Sequence, residues 1–370
     1  MSKPMINKVC LLAAANSIHT IKWVNALVEH MDVVLVSQHS ADDGLIDARV
    51  ACHTLSVKGA KGYLFNVGQL KRILKQEAPD VLNVHYVSGY GTLVCLTNPD
   101  IPVLMNAWGS DVYRFPSTSL VHQQLVRWNL SRVDRVASTS QAMAEQIATV
   151  CPELDDVLVT PFGVDMTHFA PRSAPKLSED VVIGTIKTMS DTYGVDTLIR
   201  SVHALIHRDV YEHTQLSLVL VGDGPDKARY QKLVTDLGLS DYVTFVGRVA
   251  HDDVVNWLHK LDVYVALSRH ESFGVAIVEA QACGLPVVVS RVGGLPEVVE
   301  EGVTGFVVDI DNAQQAADKL AELIESKPLR HQMGAAGRQR MLARYEWGEC
   351  VRRMMDVYTL THITYKEKHT

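Results

Sequence analysis

The 370-residue sequence has no CxxC pair, and its six cysteines (Cys10, Cys52, Cys95, Cys151, Cys283 and Cys350) are scattered. That spacing argues against a disulfide framework or thiolate zinc site and for buried thiols in a reducing compartment. No stretch approaches the roughly 18–20 apolar residues of a membrane span. The apolar run Val9–Ala15 is short and passes directly into a polar loop and an amphipathic helix. It therefore reads as a first β-strand, not a signal peptide, and a cytoplasmic protein is expected. A basic excess is lacking too: 35 Lys and Arg face 42 Asp and Glu, a net charge of −7. This argues against nucleic acid as the main partner. There is no Walker A motif and no HExxH, and Gly222-Asp223-Gly224-Pro225 is too short for a G-x-G-x-x-G fingerprint. No His, Cys or carboxylate set has metal-ligand spacing, so no metal is expected. Asp309-Ile310-Asp311 sits between an apolar strand and a helix and reads as helix capping. His203, His207 and His213 read as a solvated helix face.

What is present is apolar material, 47% of the residues, arranged as short Val- and Leu-rich runs. VCLLAAA, DVVLVS, DVLNVHY, VLMNAW and RVASTS read as strands, alternating with helical stretches at Thr20–His30, Gly68–Glu77 and Gln123–Asp134. VVIGTIK, LSLVLVG, VTFVG, VYVALS, LPVVVS and GFVVD restart the same alternation. Continuous apolar strands separated by helices imply α/β architecture with parallel sheets covered on both faces. The length suits two domains. A proline- and charge-rich break at 163–180 reads as the linker, giving an N-terminal domain 1–165, a C-terminal domain 166–345 and a final helix 346–370. The spaced apolar residues of that helix need a surface, and the first domain is the expected one. Lys71-Arg72…Lys75 and Arg127…Arg132…Arg135 read as solvated helix faces, with anionic lipid as the alternative contact.

Ligands of open parallel sheets sit outside the carboxyl ends of the strands. In the second half those ends supply Lys187, Asp223-Gly224, Arg248, Arg269 through Gly274, and Arg291 through Gly294. Glycines, cations and a carboxylate on one edge fit a phosphate-bearing ligand. The sharpest block is HESFGVAIVEAQACGLPVVVS. An isolated pair of glutamates eight apart is most often solvent-facing, because glutamate is common in first turns. Here Glu271 and Glu279 flank a helix start at Gly274, between two strand cores. Unpaired N–H groups there suit a diphosphate, and Glu279 can accept from two ribose hydroxyls.

VLVGDGP, FVGRV and ALSRHESFGVAIVEAQACGLPVVVSRVGGLPEVVEEGVTGFVV strongly resemble the retaining GT-B glycosyltransferases of family 4. PDVLNVHY, PFGVD and YEW extend the resemblance, more faintly, over the rest of the chain. It implies a GT-B fold, two Rossmann-like β/α/β domains facing across a cleft, and transfer of a sugar from a UDP- or GDP-sugar. The acceptor class it implies is a glycan, a lipid-linked sugar or a polysaccharide precursor, with peripheral contact to the inner face of a membrane. No cofactor beyond the nucleotide-sugar co-substrate is expected. Glu271 would contact the transferred sugar, and the backbone of Ser272, Phe273 and Gly274 would help grip sugar and phosphate. Glu279 would hold the ribose, Ile277 and Val278 would line the nucleotide, the Gly247-Arg248 turn would abut the base, and Val275 and Gly222 join the donor-binding candidates. Lys187 fills one basic role on the diphosphate, whereas Thr192 or Tyr193 stands where a second cation is usual. The glycine loop after the first strand is replaced by Ala15-Asn16-Ser17-Ile18-His19, and Trp108 stands where a sugar-contacting histidine is frequent. Ser17, His19, Trp108 and Asp111 are the N-terminal candidates, and His85 joins Glu271 and Lys187 as a catalytic candidate. The competing expectations are a sugar phosphorylase or nucleotide-sugar epimerase on the same scaffold, or a non-catalytic nucleotide-sugar-binding subunit.

Overall fold

The computed structural model describes residues 5–40, 44–154, 156–173, 180–207 and 216–369. His213 and positions 174–179 of the expected linker lie outside these. The chain divides into two compact units, Met1–Pro161 with Cys350–Thr370, and Phe162–Glu349.

The first unit carries seven strands: β1 (Lys8–Leu12), β2 (Asp32–Ser37), β3 (Ala51–Thr54), β4 (Val81–His85), β5 (Val103–Ala107), β6 (Arg135–Ser138) and β7 (Val157–Val159). They form one sheet in the order β3-β2-β1-β4-β5-β6-β7, with every pair parallel. β4 and β5 are buried at every residue, as strands with helices over both faces must be. Two of this unit's helices start on a capping serine: Ser119 and Ser140 accept hydrogen bonds from the His122 and Met143 N–H groups. The edge strands β3 and β7 escape the hydrophobic pattern, because β3 is mostly exposed and β7 only half-buried.

The last helix, Trp347–His369, buries one stripe through Cys350, Val351, Met354, Val357, Tyr358 and Thr361. From Cys350 onward it belongs to the first unit. A buried polar chain fixes it: Asn106 Nδ2 donates to Asn83 Oδ1 (2.5 Å), and Asn83 Nδ2 donates to the Tyr358 hydroxyl (2.7 Å). Tyr358→Phe strands the Asn83 amide inside the protein. The expected loss is about 1–3 kcal/mol of unfolding free energy by denaturant titration.

The second unit repeats the plan with β8 (Val181–Ile186), β9 (Leu216–Val221), β10 (Val243–Gly247), β11 (Val263–Ala266), β12 (Val287–Ser290) and β13 (Gly305–Val308). Their order is β10-β9-β8-β11-β12-β13, again all parallel. In both sheets the winding reverses beside the first strand, between β1 and β4 and between β8 and β11. A doubly wound sheet opens its ligand crevice at that reversal. Among the described residues, no helix is long and apolar enough to cross a membrane.

Candidate functional site

At the β8/β11 reversal the loops after these two strands bring Lys187 and Glu271 together. Lys187 Nζ donates to Glu271 Oε2 at 2.5 Å, with the two side chains only 10% and 13% exposed. The ammonium also lies 5.0 Å from the Tyr193 ring centroid. Burial opposes the lysine's charge, but the Glu271 carboxylate, with Tyr264 and Tyr193 nearby, outweighs it and holds the group above the ordinary lysine range. The pair is a cation ready for an anionic ligand beside a carboxylate suited to hydroxyl groups.

Close backbone approaches clasp these loops to one another. Gly222 has φ +133°, and a Cβ there would lie 2.0 Å from the Lys187 carbonyl oxygen. Gly293 has φ +50°, and its Cβ would lie 1.7 Å from the Glu271 carbonyl oxygen. The Ser290 hydroxyl donates to the Ser268 carbonyl at 2.5 Å, tying the β12 end to the β11 loop.

Gly274, at φ +103°, opens the helix Val275–Ala282. Ser272 and Val275 are partly exposed beside it, whereas the Phe273 ring is wedged edge-on against Phe162 and Tyr345, leaving its backbone for contact. Glu279 is 5% exposed, and one carboxylate oxygen lies 3.6 Å from His251 Nε2. Gly247, at φ +90°, turns the chain into the exposed Arg248 at the end of β10.

Ile277 and Val278 are 0% and 1% exposed, their side chains packed in the core. Arg269 is engaged within the protein: its guanidinium grips Asp196 with two bonds (3.0 and 2.9 Å), Asp311 (2.8 Å) and the Asp191 carbonyl (2.7 Å). One expectation changes. Asp309 and Asp311 are not the helix cap. Asn312 caps the helix Ala313–Glu325, accepting from the Gln315 N–H, while Asp311 serves Arg269 and the Thr197 hydroxyl. Among the described residues, no group of three or more His, Cys, Asp or Glu side chains could hold a metal ion. Tyr193, Tyr264 and His251 were not singled out as site residues from sequence. Only Tyr193 carried a signal, standing where a cation is usual.

In the first unit, Trp108 gathers an aromatic cluster at the carboxyl edge: His85 at 4.2 Å, Tyr86 at 5.3 Å and His19 at 5.9 Å between ring centroids. Ser17 stands at the N-cap of the helix Ile18–Leu27, at the end of the loop that follows β1. Asp111 is buried and structural, accepting from the N–H groups of Val87 (2.8 Å), Gly109 (2.8 Å) and Trp108 (3.2 Å). Burial raises its pKa, and those backbone donors oppose the rise.

His85 is 1% exposed, and its Nδ1 has no partner among the described residues. Burial, then nearby His19, pushes its pKa down to about 3. The unfolded imidazole takes its proton near pH 6.5 while the folded one waits until about pH 3. Stability therefore falls as pH drops through that window. Between pH 7 and pH 5 this group should cost about 2 kcal/mol. Denaturant titrations of His85→Leu should show that much less acid sensitivity.

Comparison with known proteins matches residues 168–340 to the model of glycosyl transferases group 1, and residues 8–140 to glycosyl transferase 4-like. The chain is 24% identical over 304 residues to the N-acetyl-alpha-D-glucosaminyl L-malate synthase of Bacillus anthracis, covering 78% of this chain and 77% of that one. It is 32% identical over 211 residues to a GDP-mannose-dependent alpha-(1-6)-phosphatidylinositol monomannoside mannosyltransferase of Mycobacterium tuberculosis, covering 53% of this chain and 54% of that one. Sucrose-phosphate synthase from Thermosynechococcus elongatus has the same fold, with TM-score 0.81 at 19% identity over 95% of this chain and 98% of that one. So does Anabaena HepE in complex with UDP-glucose, with TM-score 0.79 at 18% identity over 95% and 98%. The architecture is GT-B.

Proposed function

From the premise that the chain belongs to the glycosyl transferases group 1 family, we propose that it is a metal-independent, retaining transferase using a UDP- or GDP-sugar. The observation that carries this reading is the buried Lys187–Glu271 pair at the β8/β11 reversal, beside the helix start at Gly274. Lys187 and the Gly274–Val275 backbone take the diphosphate, Glu271 the sugar hydroxyls and Glu279 the ribose. As the bond from the anomeric carbon to the diphosphate oxygen breaks, negative charge grows on the diphosphate, where Lys187 stabilises it. The acceptor oxygen bonds the same face of the anomeric carbon, and its proton passes to the departing phosphate oxygen. His85, its pKa held low by burial, stays neutral at physiological pH and packs against Trp108. The acceptor, a glycan or lipid-linked sugar, is recognised by the first unit. A cytoplasmic setting accords with six free cysteines.

A thermal-shift screen of UDP- and GDP-sugars tests the donor grip. One nucleotide class should stabilise the protein by about 2.7 kcal/mol at a hundredfold excess over its Kd, equally with and without chelator, and Glu279→Gln should weaken the shift. Stabilisation only in the presence of a divalent cation, or by no nucleotide sugar, contradicts the reading.

A further inference from the structure

A second concave site lies in the first unit, on the carboxyl edge of its sheet. It is a cavity of about 480 Å³, within the roughly 300–1,000 Å³ usual for small-molecule pockets. Its walls include Tyr63, Leu64, Tyr86, Tyr90, Phe115 and Leu125. Tyr86 holds φ +73°, a left-handed conformation costly for an aromatic residue. That turn seats its ring both in the pocket wall and edge-on to Trp108. Tyr86 is thus common to the pocket wall and the Trp108 cluster.

The lining is mainly apolar, with His39, Ser88 and Thr92 among its polar members. The Tyr90 hydroxyl accepts from the Gln38 N–H at 2.9 Å and lies 3.3 Å from Ser37 Oγ and 3.2 Å from His39 Nδ1. Its polar atom is engaged with the protein, which leaves the ring to face the cavity. The pocket-lining Leu64 is 55% exposed, and Phe65, next to it in the chain, is 71% exposed. Leu120 and Val121, which open the helix that carries the pocket-lining Leu125, are 78% and 77% exposed, and Val121 lies one helical turn before Leu125. Lys58 and Lys61 flank the pocket-lining Ala60 in the chain, and Arg114 adjoins the pocket-lining Phe115. An apolar aromatic cavity with these three cations next to its lining residues fits a hydrocarbon chain joined to an anionic group.

We propose that this pocket seats the hydrocarbon chain of a phosphate-linked lipid, the anchor of a lipid-linked acceptor whose sugar lies toward Trp108. This rests on the glycosyltransferase reading for the word acceptor, but the binding itself can be measured without turnover. The probe is farnesyl phosphate below its micellar concentration, titrated calorimetrically into the full chain, with farnesol, inorganic phosphate and anionic vesicles in parallel. Farnesyl phosphate should bind, farnesol more weakly, and inorganic phosphate not at all. Tyr63→Ser and the exposed double variant Leu64→Ser/Phe65→Ser should each weaken farnesyl phosphate at least tenfold. The donor-induced thermal shift should persist in both variants, showing that they fold. Binding to vesicles without binding to monomeric farnesyl phosphate overturns the proposal in favour of surface adsorption, and affinity unchanged in both variants overturns it outright. Farnesyl phosphate binding in a protein that ignores every nucleotide sugar would sink the donor reading and leave the pocket standing.

Discussion

Lys187→Ala should lower turnover by about 10²–10³-fold, the range for removing one preorganised donor from a developing anion. Lys187 is the cation that the structure sets against Glu271 at the β8/β11 reversal, with the pair 2.5 Å apart and shielded from water. Arg269 cannot substitute, because Asp196 and Asp311 hold it. Removing the ammonium also leaves the Glu271 carboxylate buried beside no counter-charge, which should cost about 3–5 kcal/mol of stability. The two losses are separable. The double variant Lys187→Met/Glu271→Gln removes both charges, so it should recover most of the stability and none of the activity. If the double variant recovered turnover along with stability, the lysine would be a structural group.

Gly293→Ala should be the most damaging single methyl in the second unit. The glycine's φ of +50° and the 1.7 Å approach of a Cβ to the Glu271 carbonyl leave no room for a side chain. The obstacle is backbone, so the Glu271 loop must move. A displacement of about 1 Å at a reacting centre can cost about 10²-fold in rate, and a non-glycine residue held in this conformation costs about 1–2 kcal/mol. Activity should fall far more than stability, by steady-state turnover and denaturant titration on the same preparation. A variant with full activity would show that the Glu271 loop needs no such clasp.

The parallel sheets were readable because their central strands are continuous Val and Leu runs, a pattern imposed by burial on both faces. β3 and β7 were not, since edge strands in water need no apolar alternation. The E-x7-E block was legible because strand cores bracket it and a glycine opens the helix between the glutamates. Which side chains point outward was not. Ile277 and Val278, which the family resemblance would set along the nucleotide, have their side chains buried in the core. Arg269 stands among the strand-end cations, but its counter-charges, Asp196 and Asp311, are distant in sequence and meet it only once β8, β11 and β13 share a sheet. His85 showed its position at a strand end but not its lost basicity, which follows from burial beneath Trp108 and beside His19.

The claim that Lys187 grips a nucleoside diphosphate is tested most directly by calorimetric affinities of the diphosphate and monophosphate of the preferred base. The wild-type chain should favour the diphosphate at least tenfold, and Lys187→Met/Glu271→Gln should lose that preference while binding the monophosphate as before. An unchanged preference in the variant would place the diphosphate elsewhere and contradict the account.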